Sequence, residues 1–149
     1  MRMMVAYNSR SKSSENALEL AKRHAVVFGA SLDVVTSAQR TRSEKDIPHM
    51  EEAEQKLWEV EQQMSREGIT CRTHLLVQYK SLGEDMVDFA EENGIDEIVI
   101  GVERKSRVGK FVMGSLAQQI ILEAPCPVLT VKAQDTGPDI FLGSTSFME

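Results

Sequence analysis

Short apolar runs alternate along the chain with longer stretches in which apolar residues recur every three or four positions. The mostly apolar runs cover residues 3–7, 32–35, 97–100 and 128–131, and residues 71–77, with His74 among them, are predicted as a further strand. Apolar runs of this length, bounded by turn residues, predict buried β-strands. The longer stretches predict amphipathic helices, because an apolar stripe with a period of 3.6 residues can bury one helix face.

Helix boundaries are predicted from capping residues. Ser13 and Ser14 are expected to cap the first helix, and Gly29 to end it. The second helix is expected to begin near Pro48 and to end at Gly68. The predicted order is therefore strand then helix, four times over, followed by a fifth strand.

This alternation predicts an α/β fold built on an open parallel sheet with helices on both faces. No shift of composition interrupts residues 1–132, which we expect to form one domain. Residues 133–149 lack periodicity and are expected to form a C-terminal tail. A chain of 149 residues can bury a core without a disulfide or a metal ion.

Charge and composition exclude several classes of partner. The net charge is −6, which argues against nucleic acid as the main partner, because phosphate backbones need a basic surface. No apolar run approaches the roughly 18 residues of a membrane span, and no secretory signal opens the chain. We therefore expect a cytoplasmic protein without a membrane partner. Cys71 and Cys126 form no CxxC motif and are expected to be buried free thiols.

One loop, residues 101–115, differs from the rest of the chain. It joins the carboxyl end of the fourth strand to the last helix, and ligands of open parallel sheets lie outside such strand ends. Gly101, Gly109 and Gly114 allow sharp turns and close approach of the backbone to a ligand. Four basic residues lie in the loop of this acidic chain: Arg104, Lys105, Arg107 and Lys110. Their local field favours an anion.

The start of the last helix is the predicted phosphate contact. Ser115 followed by Gln118 has the spacing of a capping box. The free amides of this helix start, together with the Ser115 hydroxyl, are expected to hold phosphate oxygens. A solvated basic loop with a capped helix behind it is the alternative interpretation.

No catalytic set is recognisable. The loop is not a Walker A motif, since Phe111 follows Lys110, and GxGxxG is absent. His24, His49 and His74 lie on separate elements, and His74 is expected to be structural. Glu103 is the one acid in the loop, and we expect it to point outward or to pair with a neighbouring base. Because no residue is recognisable as a base that could position water, we expect any ligand bound at the loop to be hydrolysed slowly or not at all.

The motifs together resemble the universal stress protein family. Residues 5–9 resemble the first strand and turn of that family, and residues 124–129 its approach to the last strand. Gly101, followed after twelve residues by Gly114 and Ser115, resembles its signature loop. The resemblance covers residues 3–132 and implies a five-stranded sheet of order 3-2-1-4-5, similar to adenine nucleotide hydrolases. It also implies a homodimer through the last strand, Val128 to Lys132.

Some members of this family bind ATP or another adenine nucleotide. The resemblance implies that Gly101, Gly114 and Ser115 contact phosphate and ribose, and that the backbone around Ser37, after the second strand, contacts adenine. Asn8 stands where nucleotide binders usually have Asp. Mg²⁺ is expected only together with a nucleotide.

Arg104 occupies the position of the second signature glycine. Its guanidinium could contact phosphate or could fill the site.

Three functions are therefore compared. The first is a nucleotide-binding sensor or regulator in stress response that binds ATP, ADP or AMP with little or no turnover. The alternative is a nucleotide-free, dimeric interaction module of the same family. A weak nucleotide hydrolase rests on fold analogy alone.

Overall fold

The computed structural model describes residues 1–40, 44–103 and 113–133. The strands are β1 (Arg2–Ala6), β2 (Ser31–Ala38), β3 (Cys71–Val77), β4 (Glu97–Val102) and β5 (Val128–Lys132). The helices are α1 (Lys12–Phe28), α2 (Ile47–Arg66), α3 (Leu82–Glu92) and α4 (Ser115–Glu123), with a 3₁₀ turn at Glu44–Asp46. The five strands form one parallel sheet of order β3-β2-β1-β4-β5, which confirms the predicted fold.

Two apolar cores cover the two faces of the sheet. Along β1, Met3 and Val5 pack toward α1 and α2, whereas Met4 and Ala6 pack toward α3 and α4. Strand residues alternate between faces, so a strand buried on both faces is apolar throughout. This explains why β1 and most of β4 were visible in the sequence as apolar runs, whereas the edge strand β3 is only partly buried and contains Arg72 and His74.

The start of α1 differs from the prediction. Ser11, rather than Ser13 or Ser14, is the N-cap, and its Oγ accepts a hydrogen bond of 3.3 Å from the Ser14 amide. Ser13 and Ser14 lie in the first helical turn and are buried. The Ser14 hydroxyl is used elsewhere, because it accepts a hydrogen bond of 3.1 Å from the Asn8 amide. The predicted end at Gly29 is confirmed by its left-handed φ of 64°.

The start of α4 also differs from the prediction. Gly114 is the N-cap, so Ser115 is the first helical residue and its side chain caps nothing. The Gln118 side chain donates a hydrogen bond of 2.8 Å to the carbonyl of Met113, so the expected capping box does not form. The glycine leaves the first amides of this helix without a side-chain acceptor from the cap position.

A buried charge lies at the opposite, amino-terminal end of the sheet. Asp33 in β2 is completely buried and accepts two hydrogen bonds from the Arg2 guanidinium, at 3.1 and 3.0 Å. His74 Nε2 lies 2.9 Å from the same carboxylate, and its ring packs on Phe89 of α3. The structural role expected for His74 is confirmed, since it joins β3 to β2 beneath α3.

Among the described residues, no helix combines the length and the apolar composition that a bilayer-crossing segment needs.

Candidate functional site

A cavity of about 320 Å³ opens at the carboxyl ends of β1 and β4. It lies where the strand order reverses, because β1 is followed in sequence by β2 on one side and paired with β4 on the other. Four of the predicted site residues line it: Asn8, Ser37, Gly101 and Gly114. The topology therefore brings residues from four separate segments to one crevice, as expected for an open parallel sheet.

The other predicted site residues lie elsewhere. Ser115 is exposed at the first position of α4, beside Gly114, and is not among the described residues that line the cavity. Arg104, Gly109 and Lys110 lie outside the described residues, so their predicted phosphate contacts stay predictions.

Asn8 shapes the turn between β1 and α1. Its side-chain oxygen accepts a hydrogen bond of 3.0 Å from the Arg10 amide, and its carbonyl accepts one of 3.0 Å from the Ser11 amide. An Asx turn of this kind redirects the chain within three residues. The turn therefore occupies the side-chain oxygen of Asn8.

Ser37 lies within β2, one residue before its end, rather than after the strand as predicted. Its Oγ is buried and has no hydrogen-bond partner in the described part of the chain. Ser37 also lines a neighbouring cavity of about 440 Å³, on the α2 side. A buried hydroxyl without a partner is costly, so a ligand that bonds to it would recover that free energy.

Gly101 is also part of a strand, β4, and not of the loop that follows. A Cβ atom placed on it would lie 2.5 Å from the carbonyl oxygen and 2.6 Å from the hydroxyl of Ser13. The absent side chain therefore allows the first turn of α1 to pack directly on β4. This close packing places Ser11, Ser13 and Ser14 in the cavity wall.

Glu103 turns toward that same helix start. The Ser11 hydroxyl donates a hydrogen bond of 2.8 Å to its Oε2, and the Ser13 amide lies 3.5 Å from the same oxygen. The outward orientation considered for Glu103 is therefore wrong. The only signal of this cluster in the sequence is the group of serines at positions 9, 11, 13 and 14, which makes the turn rich in hydroxyl groups.

The sequence also matches a known protein family. Residues 1–132 match the model of the universal stress protein family. The chain belongs to the universal stress protein family. A universal stress protein of Thermus aquaticus is 30% identical over 135 residues, which span 87% of this chain and 97% of that protein. A universal stress protein of Methanocaldococcus jannaschii is 33% identical over 82 residues, 55% of this chain and 47% of that protein, so the match spans about half of that relative.

Solved structures of a universal stress protein from Archaeoglobus fulgidus are also similar. One superposes with a TM-score of 0.73 at 33% identity and covers 89% of this chain and 93% of that one. Another, a complex with dAMP, superposes with a TM-score of 0.69 at 33% identity and covers 89% and 98%. These similarities confirm both the family and the fold.

Tyr7 forms a wall between the two cavities of this universal stress protein. Its hydroxyl donates a hydrogen bond of 2.6 Å to Glu15 Oε2. Burial, reinforced by that bond and by the charge of Glu15, raises the Tyr7 pKa far above its ordinary value. The phenol therefore stays protonated at physiological pH and cannot accept a proton from a ligand.

No three His, Cys, Asp or Glu side chains come together as a metal site in the described ranges.

Proposed function

We propose that this universal stress protein binds an adenine nucleotide in the cavity between Ser37 and the start of α4. The observation that carries the proposal is that two polar features with no side-chain partner among the described residues border one cavity. At one end is the buried Ser37 hydroxyl, and at the other are the α4 amides behind the Gly114 cap. The volume of about 320 Å³ lies within the usual range for small-molecule sites, about 300–1,000 Å³.

Different lining residues of the cavity suit the adenine ring and the ribose of a nucleotide. Leu82, Met86 and Ile100 give an apolar surface against which an adenine ring can pack, beside the hydroxyl and backbone of Ser37. Asn8 also lines the cavity and is proposed to contact the ribose. Similarity to the A. fulgidus universal stress protein whose complex with dAMP is known supports an adenine nucleotide as the ligand.

The phosphate end is assigned to the start of α4 and the loop before it. Backbone amides at a helix amino terminus, together with the helix dipole, stabilise an anion. Gly114 permits close approach there, and Ser115 follows it. Arg104, Gly109 and Lys110 are proposed to complete the contacts from the loop, and Mg²⁺ to enter only with a nucleotide.

The proposed role is that of a sensor or regulator in stress response, with little or no turnover. Glu103 is the one carboxylate among the described cavity residues, and Ser11 and Ser13 already hydrogen-bond to it. Hydrolysis would need a base free to orient water. The proposed setting is the cytoplasm, and the proposed protein partner is a second copy of the chain, bound along β5.

Calorimetry against dAMP, AMP and ATP tests the binding proposal. We expect dissociation constants in the micromolar range for at least one ligand, because burial of adenine adds to the few polar contacts. Gly114→Trp, which fills the cavity, should weaken binding at least tenfold. Leu122→Trp is the matched control, because Leu122 lies on the same helix and is 81% exposed.

Wild-type protein that gives no heat with any of these ligands at millimolar concentration, and that carries no nucleotide in native mass spectrometry, would contradict the proposal. That result would favour the nucleotide-free interaction module instead.

A further inference from the structure

Two helices contribute side chains to the proposed ligand cavity on the same face of the sheet. Leu82 and Met86 line it from α3, and Leu116 and Ala117 line it from α4. Each helix buries a single large apolar side chain, which is Met86 in α3 and Ile120 in α4. Few apolar contacts therefore fix the distance between α3 and α4, and this distance sets the width of the cavity between them.

A polar bridge through Gln119 of α4 joins the two helices. The Ser81 hydroxyl, which caps α3 by accepting a hydrogen bond of 3.1 Å from the Glu84 amide, donates one of 3.3 Å to Gln119 Oε1. The Gln119 side chain lies against Gly83, and a Cβ atom on that glycine would collide with its amide group. Gln119 is half-buried and is not among the described residues that line the cavity. It can thus affect a ligand only through the positions of α3 and α4.

We propose that Gln119 is a positioning residue for the cavity. Lying in the space left by Gly83, it holds α3 and α4 at the separation that an adenine ring needs. This inference rests on the proposed function, because it concerns the fit of the same ligand in the same cavity. Dispersion attraction falls steeply when a gap opens between packed atoms, so a small shift of α3 should weaken binding of the base even if the fold stays intact.

Three variants and the ligand adenosine test this inference. Adenosine carries no phosphate, so its binding reports on the adenine end of the cavity and not on residues 104–112, which lie outside the described residues. Gln119→Ala removes the bridge, whereas Gly83→Ala keeps Gln119 and fills its space, so that its side chain must move aside. Gln55→Ala is the matched control. Gln55 makes the same hydrogen bond to a glutamate four residues later, 3.3 Å against 3.4 Å for Gln119, but within α2 alone.

Calorimetry should show weaker adenosine binding in both bridge variants. We expect a loss of about fivefold in Gln119→Ala and about threefold in Gly83→Ala, because the adenine ring loses close contact with α3. Gln55→Ala should bind as the wild type does. Gly83→Ala separates positioning from stability, since alanine favours a helix more than glycine does and should not lower the melting temperature.

Hydrogen exchange of the ligand-free proteins gives a second readout, which does not depend on binding. The α3 amides should exchange faster in Gln119→Ala than in the wild type, because this helix loosens locally. The amides of the central strands β1 and β4 should keep their wild-type rates. Gln55→Ala should leave exchange in α3 unchanged.

Unchanged adenosine affinity in both Gln119→Ala and Gly83→Ala would overturn the positioning role while leaving nucleotide binding intact. Faster exchange throughout the strands of Gln119→Ala would also overturn it, because the variant would then be less stable as a whole. If the wild type binds neither adenosine nor AMP, the proposed function itself fails and this inference fails with it, whatever the exchange rates of α3.

Discussion

Asp33 is the residue whose environment departs most from that of an ordinary parallel strand. A carboxylate with no solvent exposure stands in β2 among apolar neighbours, and the Arg2 guanidinium and the His74 ring hydrogen-bond to it. Arg2 also donates a hydrogen bond of 2.7 Å to the Asn93 carbonyl at the end of α3. This one side chain therefore connects β1, β2 and β3, and through Arg2 it reaches the helix that covers them.

Replacement of Asp33 should destabilise the protein. Loss of one member of a buried ion pair costs about 3–5 kcal/mol, but Arg2 keeps access to water, so we expect Asp33→Asn to cost about 2 kcal/mol. Asp88→Asn is the control, because it removes an exposed ion pair with Lys80 and should change stability little. Urea denaturation measures both. Equal stability of the two variants would contradict the structural role of Asp33.

The same group should make stability depend on pH. Although burial opposes the charge, the hydrogen bonds from Arg2 and His74 hold the pKa of Asp33 below its ordinary value. The folded protein therefore binds fewer protons than the unfolded chain, so the contribution is present above about pH 4 and is lost as the pH falls below it. The free energy of unfolding should fall between pH 5 and pH 3, and should fall less steeply in Asp33→Asn.

Cys71 should be chemically inert in the folded protein. Burial, with added repulsion from Glu61 and Asp33, raises the pKa of its thiol to about 12. Because the thiolate is the reactive form, alkylation of Cys71 at pH 8 should be at least about 100-fold slower in the native protein than in urea. Mass spectrometry of timed iodoacetamide reactions gives both rates. Equal rates in the two conditions would show that the thiol is not protected.

At the scale of elements, the contact between α1 and β4 decides the shape of the site. The missing side chain of Gly101 lets the first turn of α1 reach β4, and Ser11 and Ser13 then meet Glu103. A strand and a helix that are far apart in sequence thus form one wall of the cavity. A substitution that alters packing between α1 and β4 should therefore change both the stability of the protein and the shape of the cavity.

Gly101→Ala should destabilise the fold by more than about 2 kcal/mol, because the new methyl group meets backbone atoms that cannot move aside. Gly83→Ala is the matched control in α3. Its methyl group meets the flexible Gln119 side chain, and alanine favours a helix more than glycine does. The melting temperature of Gly101→Ala should therefore fall well below that of Gly83→Ala. A small effect of Gly101→Ala would mean that α1 can shift away from β4.

Ser11→Ala should cost about 1 kcal/mol, the usual value for loss of a helix N-cap. It also removes the hydroxyl that holds Glu103. Ser81→Ala is the control, because Ser81 caps α3 in the same way, at 3.1 Å from the Glu84 amide, without contacting Glu103. Both variants should lose similar stability.

At the scale of the whole molecule, β5 is an edge of the sheet. It pairs with β4 in the described structure, and its Val128, Leu129 and Val131 remain partly exposed. Unpaired edge strands readily join another chain. A two-fold dimer through this edge would place the middle residue of the strand, Thr130, near its copy in the partner.

Light scattering coupled to gel filtration should therefore give twice the chain mass of 16.7 kDa for the wild type. Thr130→Glu should give the monomer mass, because like charges would face each other across the two-fold axis. Val77→Glu, on the opposite edge strand β3, is the control and should stay dimeric. A wild type that is monomeric at high concentration would contradict the proposed dimer.

The large-scale architecture was predictable because burial on both faces leaves apolar runs in the central strands, and helical periodicity separates one strand from the next. The detailed arrangement of the site residues was harder to predict from the sequence. Ser11, Ser13 and Ser14 have similar local tendencies to cap a helix, and the choice among them depends on packing against Gly101, which is distant in sequence. The direction of Glu103 depends on that choice in turn, so no local pattern could have supplied it.

The contact between Gly101 and Ser13 has a consequence for how sequences of this kind are compared. A glycine that the fold itself requires will be kept by chains that bind no ligand at all. A glycine at the position of Gly101 in a newly sequenced relative therefore indicates that the first helix packs on β4, and not that a ligand is bound. Chemical differences among relatives should instead be sought two and three positions downstream, where Glu103 and Arg104 stand in this chain.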